Sequence, residues 1–118
     1  SIYAKTLRRI YFGRNISSDD ELLILDATNP SSITLRGSIS ITSAIFAIMP
    51  AGTQVFLGTD DTNEEFQNFN VQNPSEIQQL GMINLSNIGT GAAYDNNIVY
   101  MSVQNSDILQ LISSGPCE

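Results

Sequence analysis

Leu22-Leu23-Ile24-Leu25-Asp26, then Asn29-Pro30-Ser31, then Gly37-Ser38-Ile39-Ser40-Ile41 is the stretch on which the fold turns. Asn73-Pro74-Ser75 repeats the turn 44 residues later. The same offset pairs Ile33 with Ile77, Gly37 with Gly81, Ile39 with Ile83, Ile41 with Leu85, Val55 with Val99, and Phe56 with Tyr100, without a gap. Extended backwards, it sets Tyr11-Phe12-Gly13 against Val55-Phe56-Leu57. A third copy runs from Val99-Tyr100-Met101 through Ile108–Ile112 to Pro116, two residues shorter in its loop. A register held over most of the chain marks internal repeats.

Each repeat reads as β structure. The first strand of the unit is Ile2–Lys5, Ile45–Met49 and Gly91–Tyr94, and the second is Ile10–Arg14, Gln54–Gly58 and Ile98–Ser102. The third is Leu22–Asp26, Phe66–Val71 and Ile108–Ile112; the fourth is Gly37–Ile41 and Gly81–Leu85, without a third copy. These runs are short and rich in branched and aromatic residues. Pro50-Ala51-Gly52 and Asp95-Asn96-Asn97 supply hairpin turns, because Gly and Asn tolerate positive φ. Pro lacks the N–H of a continuing strand, so the two Asn-Pro pairs are expected to end the third strands in the same way. Leu22-Leu23-Ile24-Leu25 is apolar on both faces and is expected to be buried on both. Glu64–Phe69 has some helical character, but the repeat register makes it loop plus strand.

A four-stranded unit of about 44 residues is a β-propeller-like blade, which must stack on neighbours to bury its two faces. The expected architecture is all-β: one repeat domain over 1–118, with repeats 1–44 and 45–88 complete and 89–118 incomplete. A three-fold β-trefoil-like barrel or a β-sandwich is the alternative. The Leu/Val/Ile run closed by Asp26, the Asn29-Pro30 turn and Gly37 opening the next strand resemble the LVIVD-repeat family of surface propeller proteins. The second copy keeps the frame but has Phe66-Gln67-Asn68-Phe69-Asn70; the third has Gly115-Pro116 in place of Asn-Pro. The resemblance implies a propeller repeat and a cell-surface setting, and implies no activity. Two and three-quarter blades cannot close a ring that needs at least about four, so the chain is read as part of an oligomeric array or as a piece of a longer protein. Its start at Ser1 without Met fits a processed chain or a fragment.

Composition removes several function classes. The 118 residues carry 5 Lys+Arg against 12 Asp+Glu, a net charge of −7, which argues against nucleic acid as a partner. There is no His, so imidazole bases, Ser-His-Asp triads and His metal sites are excluded. No apolar run approaches the roughly 20 residues of a membrane span. All five cations lie within residues 1–36, whereas residues 37–118 hold eight acids and no base. Neighbouring copies could therefore attract head to tail.

Candidate sites follow from the loops and edges. The loops between second and third strands are acidic or amide-rich: Ser17–Glu21, Asp60–Glu65 and Gln104–Asp107. Asp60, Asp61, Asn63 and Glu64 offer the densest oxygen set, and the ion such a set would take is calcium. No other cofactor is expected. The edge residues Ile2, Tyr3, Ile108, Leu109 and Leu111 are the candidates for self-association, since bare strand edges recruit further strands. Tyr11-Phe12, Phe56 and Tyr100 share a repeat position and are expected in the core; Tyr3 or Tyr94 would serve a carbohydrate. Cys117 permits an intermolecular disulfide and no internal one. The functional expectation is a non-enzymatic structural or adhesive subunit, cell-surface or extracellular, forming a homo-oligomer or filament. A small lectin-like carbohydrate-binding module is the alternative.

Overall fold

The computed structural model describes residues 2–6, 8–15, 19–85, 87–96, 98–104 and, as backbone, 109–113. The described residues form three antiparallel meander sheets. The first is β1 (Ile2–Lys5), β2 (Arg9–Gly13), β3 (Leu22–Asp26) and β4 (Thr34–Ile39), in that spatial order. The second is β5 (Ile45–Ala51), β6 (Gln54–Thr59), β7 (Phe66–Asn70) and β8 (Gln78–Ile83). The third is β9 (Gly89–Asp95), β10 (Ile98–Val103) and β11 (Leu109–Ser113). No ladder joins one sheet to the next among the described residues, so they do not form a barrel. The sheets instead stack in three layers, the second sheet in the middle.

The turn chemistry explains the hairpins. Gly52 and Asn96, at φ 60° and 52°, are left-handed at the tips of β5–β6 and β9–β10. Asp26 and Asn70 each accept the amide two residues on, from Thr28 and Gln72, both at 2.9 Å. Asn29 and Asn73 do likewise with Ser31 and Ser75, at 3.0 and 3.1 Å. Four such turns at one 44-residue spacing leave the third strands identically, as the Asn-Pro repeat predicts. Pro74 then opens a short 3-10 turn, Pro74–Glu76.

Most strand boundaries differ from expectation by one or two residues, and Pro50 and Ala51 pair with Val55 and Gln54 inside the β5–β6 ladder, which leaves Gly52 and Thr53 as the turn. The fourth strands begin at Thr34 and Gln78, three residues before Gly37 and Gly81, because bulges opposite Ile24/Leu25 and Asn68/Phe69 carry the ladders on. They also end early, at Ile39 and Ile83. The amides of Ile41 and Leu85 have left the ladder for the side chains of Glu21 and Glu65.

The ungapped register also needs correction. Gly13 pairs with Leu22, and Gly58 with Phe66, so Gly13 corresponds to Gly58 at a spacing of 45. Both are points of close approach between sheets: a Cβ on Gly13 would lie 2.6 Å from Ile45 Cγ2, and one on Gly58 2.4 Å from the Gly89 carbonyl oxygen. One residue is lost in the connection between the second and third strands of the second sheet. Because side chains alternate with period 2, that slip swaps the faces of the second strand. Tyr11 therefore corresponds to Phe56, and Phe12 to Leu57.

Two cores result. Tyr11, Leu22 and Ile24 of the first sheet pack on Ile45, Ile48, Val55, Leu57 and Phe69 of the second. Phe56 and Phe66 of the second pack on Val99, Met101 and Val103 of the third. Phe56 stacks on Phe66 at 5.9 Å and on Tyr94 at 5.5 Å between ring centroids. Fully burying a side chain of this size contributes about 1.5–3 kcal/mol, so the two interfaces hold the layers together.

Candidate functional site

The acidic loop of the second sheet does not gather its oxygens. Asp60 Oδ1 accepts the amide of Ala44 at 2.9 Å, which ties the loop to the linker before β5. Asp61 Oδ1 accepts the amides of Asn63 and Glu64, closing its own turn. Glu64 Oε1 accepts from Gln79 Nε2 on β8 at 2.9 Å. Each carboxylate thus has a structural partner in a different direction. Among the described residues no three acidic or cysteine side chains converge on one point.

The same loops contain two residues of another kind. Glu21 and Glu65, one repeat apart, are 1% and 6% exposed. Glu21 Oε1 accepts from the amides of Ile41 and Thr42 and the Ser40 hydroxyl; Glu65 Oε1 accepts the amide of Leu85. They terminate the fourth strand of their own sheet and start the crossing to the next. The sequence shows both only as members of the acidic loops Ser17–Glu21 and Asp60–Glu65. Their 44-residue spacing, at the last position before the third strand, is the signal that could have separated them from the exposed acids beside them.

Two of the strands that hold the candidate self-association residues stand at sheet edges. β1 pairs with β2 alone and β11 with β10 alone among the described residues. Ile2 is half-buried against the first core, and Tyr3 is 67% exposed. Leu109 and Leu111 stand opposite Ser102 and Tyr100 in the ladder. Ile108 and Cys117 lie outside the described residues. Tyr94, in contrast, is no open platform: its ring is taken up by Phe56.

A larger surface lies on the sheet faces. Cross-strand registers align Tyr3, Phe12 and Leu23 in one row of the first sheet, and Lys5, Ile10, Leu25 and Leu35 in the next. These residues point away from the second sheet, since their neighbours Tyr11, Leu22 and Ile24 point into it. Tyr3 and Leu35 are exposed, and Ile10, Phe12, Leu23 and Leu25 half-buried. Leu23 and Leu25 are therefore not enclosed within the chain, unlike Leu22 and Ile24. At the other end, Tyr100 and Ala93 are cross-strand partners on the face of the third sheet away from the second. Tyr11 is 2% and Phe56 3% exposed, whereas Tyr100, at the same repeat position, is half-buried.

No family model and no curated protein matches the chain. Among solved structures, the computationally designed Ika4 protein is similar, with a TM-score of 0.73 at 15% identity. The match covers 96% of this chain and 64% of that one, so the chain spans less than two thirds of the length of its structural neighbour. At that identity the likeness concerns the fold alone.

Proposed function

We propose that the chain is a non-enzymatic structural subunit of a cell-surface or extracellular assembly. It is built from propeller-type blades and stacks head to tail on further copies of itself. The resemblance to LVIVD repeats supports the propeller reading and the surface setting. The observation that carries the proposal is the state of the two end faces. Tyr11 presents a face that the second sheet covers, and Phe56 presents the equivalent face, which the third sheet covers. Tyr100 presents that face for a third time. Conversely, Val55, Leu57 and Phe69 form the face by which the second sheet receives the first. Their counterparts in the first sheet are Ile10, Phe12 and Leu25, which lie half-buried.

The two end faces are thus the two halves of an interface that the chain already makes twice internally. A contact of one face with the other is heterologous. It closes into a ring or extends into a filament according to the rotation per copy. Charge favours the same direction, with the cations confined to residues 1–36 and acids alone beyond Arg36. The edges β1 and β11 read from sequence belong to the two sheets that carry these faces.

Sedimentation velocity over a concentration series tests this. Association is expected for the chain and is expected to disappear in Leu25→Glu, with the far-ultraviolet spectrum unchanged. A chain that stays monomeric at high concentration overturns the proposal.

A further inference from the structure

At the end of the stack where β1 turns into β2, two adjoining cavities open between the first and second sheets. The larger, about 470 Å³, is lined by Thr6, Arg8, Arg9, Tyr11, Gly52, Thr53 and Gln72. The smaller, about 150 Å³, shares Arg8 and Arg9 and adds Asp26, Thr28, Arg36 and Pro74. Three of the five cations in an acidic chain meet here, against one carboxylate.

Their roles differ. Arg9 is a fixture: Nη1 donates to the Val71 carbonyl at 2.6 Å and Nη2 to that of Gln72 at 3.2 Å, bridging the two sheets. Arg36 sits 3.9 Å from Asp26, a loose and largely exposed pair. The guanidinium of Arg8 makes no hydrogen bond or ion pair with the described residues. The fold does not require this set. By the repeat register, Arg8, Arg9, Asp26 and Arg36 correspond to Thr53, Gln54, Asn70 and Leu80 at the next sheet. Those four positions carry no charge. Gathering three guanidiniums costs mutual repulsion that an uncharged set avoids; stacking the sheets accounts for Arg9, which bridges them, and not for Arg8 or Arg36.

We infer that this crevice binds a small organic anion, whose carboxylate or phosphate group is received by Arg8 and Arg36 and whose hydroxyl-bearing body lies against Thr6, Thr53 and Gln72. A guanidinium presents paired donors that match either oxyanion, and none of those of Arg8 is taken up by a described residue. The threonine hydroxyls and the glutamine amide both donate and accept, as sugar or polyol hydroxyls require. The larger cavity is of a size that takes such a ligand. Arg9, already engaged with two carbonyls, adds charge and not a donor fork. The inference is independent of the assembly, because the crevice lies between the first two sheets and not on either end face.

Calorimetric titration of the full chain with glucuronate, glucose 6-phosphate, glucose and inorganic phosphate tests the site. Saturable binding of glucuronate or glucose 6-phosphate in the millimolar range or tighter is expected, and which of the two binds better tells carboxylate from phosphate. Arg8→Gln is expected to weaken it about tenfold or more. Arg14→Gln is the control: Arg14 Nε donates to the Asp20 carbonyl at the opposite end of the sheet, and its loss is expected to leave binding unchanged. Equal weakening by both variants means diffuse attraction and overturns the site. Glucose binding as tightly as either charged sugar, or no saturable binding by either, also overturns it. Inorganic phosphate binding as tightly as glucose 6-phosphate removes the part assigned to Thr6, Thr53 and Gln72.

Discussion

Glu21 reaches across the end of its sheet to the backbone of Ile41, which donates its amide to Glu21 Oε1 at 3.0 Å inside the protein. The same oxygen takes the amide of Thr42 at 3.1 Å, and Thr42 is held at φ 56°, a conformation that β-branched residues rarely adopt. One buried carboxylate thus stops β4, redirects the chain and fixes the strained residue that leads into β5. Glu65 takes the amide of Leu85 in the same way, at 2.8 Å.

Glu21→Ala removes the acceptor from buried amides and is expected to destabilise the chain by about 1–3 kcal/mol. Glu65→Ala is expected to fall in the same range. Glu64→Ala, which loses one exposed hydrogen bond, should remain within about 0.5 kcal/mol of the parent. Urea denaturation of the three variants ranks them, and a Glu64 effect as large as that of Glu21 would contradict the assignment.

Gly37 and Gly81 occupy the same repeat position and are expected to respond differently. A Cβ on Gly37 would fall on the Pro74 carbonyl, in the 3-10 turn of the neighbouring sheet, whereas one on Gly81 meets no described atom within 4 Å. Gly37→Ala must push two sheets apart and should cost about 1–3 kcal/mol. Gly81→Ala should be neutral or stabilising by up to about 1 kcal/mol, through the entropy of the unfolded chain. Thermal melts of the pair provide the measurement. By the same contact, Pro74 is tied to the first sheet while Pro30 is exposed, so the two prolines end equivalent strands in unequal surroundings.

Ile24→Ala empties a fully buried position between the first two sheets and is expected to cost about 2–5 kcal/mol. Leu25→Ala, on the half-buried outer face, should cost less in the isolated chain and should weaken its association instead. Equilibrium unfolding at low and high protein concentration separates the two effects.

Asp26 provides a pH dependence. Its carboxyl is held below its ordinary value of 3.8, first by the Thr28 hydroxyl, then by the Thr28 amide, and then by Arg36 and Arg9. A depressed folded value means that the unfolded chain takes up the proton first. The contribution is therefore present above the ordinary carboxylate range and is lost as pH falls through the folded value. Asp26→Asn should lower the urea midpoint relative to the parent at neutral pH, and the gap should close in acid. A gap unchanged by acid would show that the charge has no part.

The strands and their order within each sheet were legible because every determinant is local. Leu22–Asp26 and Ile98–Val103 declare themselves by residue type, Phe66–Asn70 by its repeat register alone, and Gly52, Asn96 and the Asx residues fix turns within two residues of themselves. The 44-residue spacing then assigns each strand to a sheet. The candidate sites were less legible. Asp60, Asp61 and Glu64 were singled out by density of charge, which does not say that hydrogen-bond donors of the fold already occupy their oxygens. Glu21 and Glu65 look like their neighbours until a sheet is laid over them.

By itself the sequence determined the all-β class, the meander hairpins and the repeat, since these rest on alternation and turn chemistry over a few residues. The tertiary structure alone decided which faces are covered. A slip of one residue between Gly13 and Gly58 moves Tyr11 into correspondence with Phe56, and residue type is blind to it because both readings pair Phe56 with an aromatic residue. Whether the neighbours of Ile24 on the strand are enclosed could not be read either. Leu23 and Leu25 are as apolar as Leu22, yet burial depends on a second sheet arriving from elsewhere in the chain, and among the described residues one arrives on one side only.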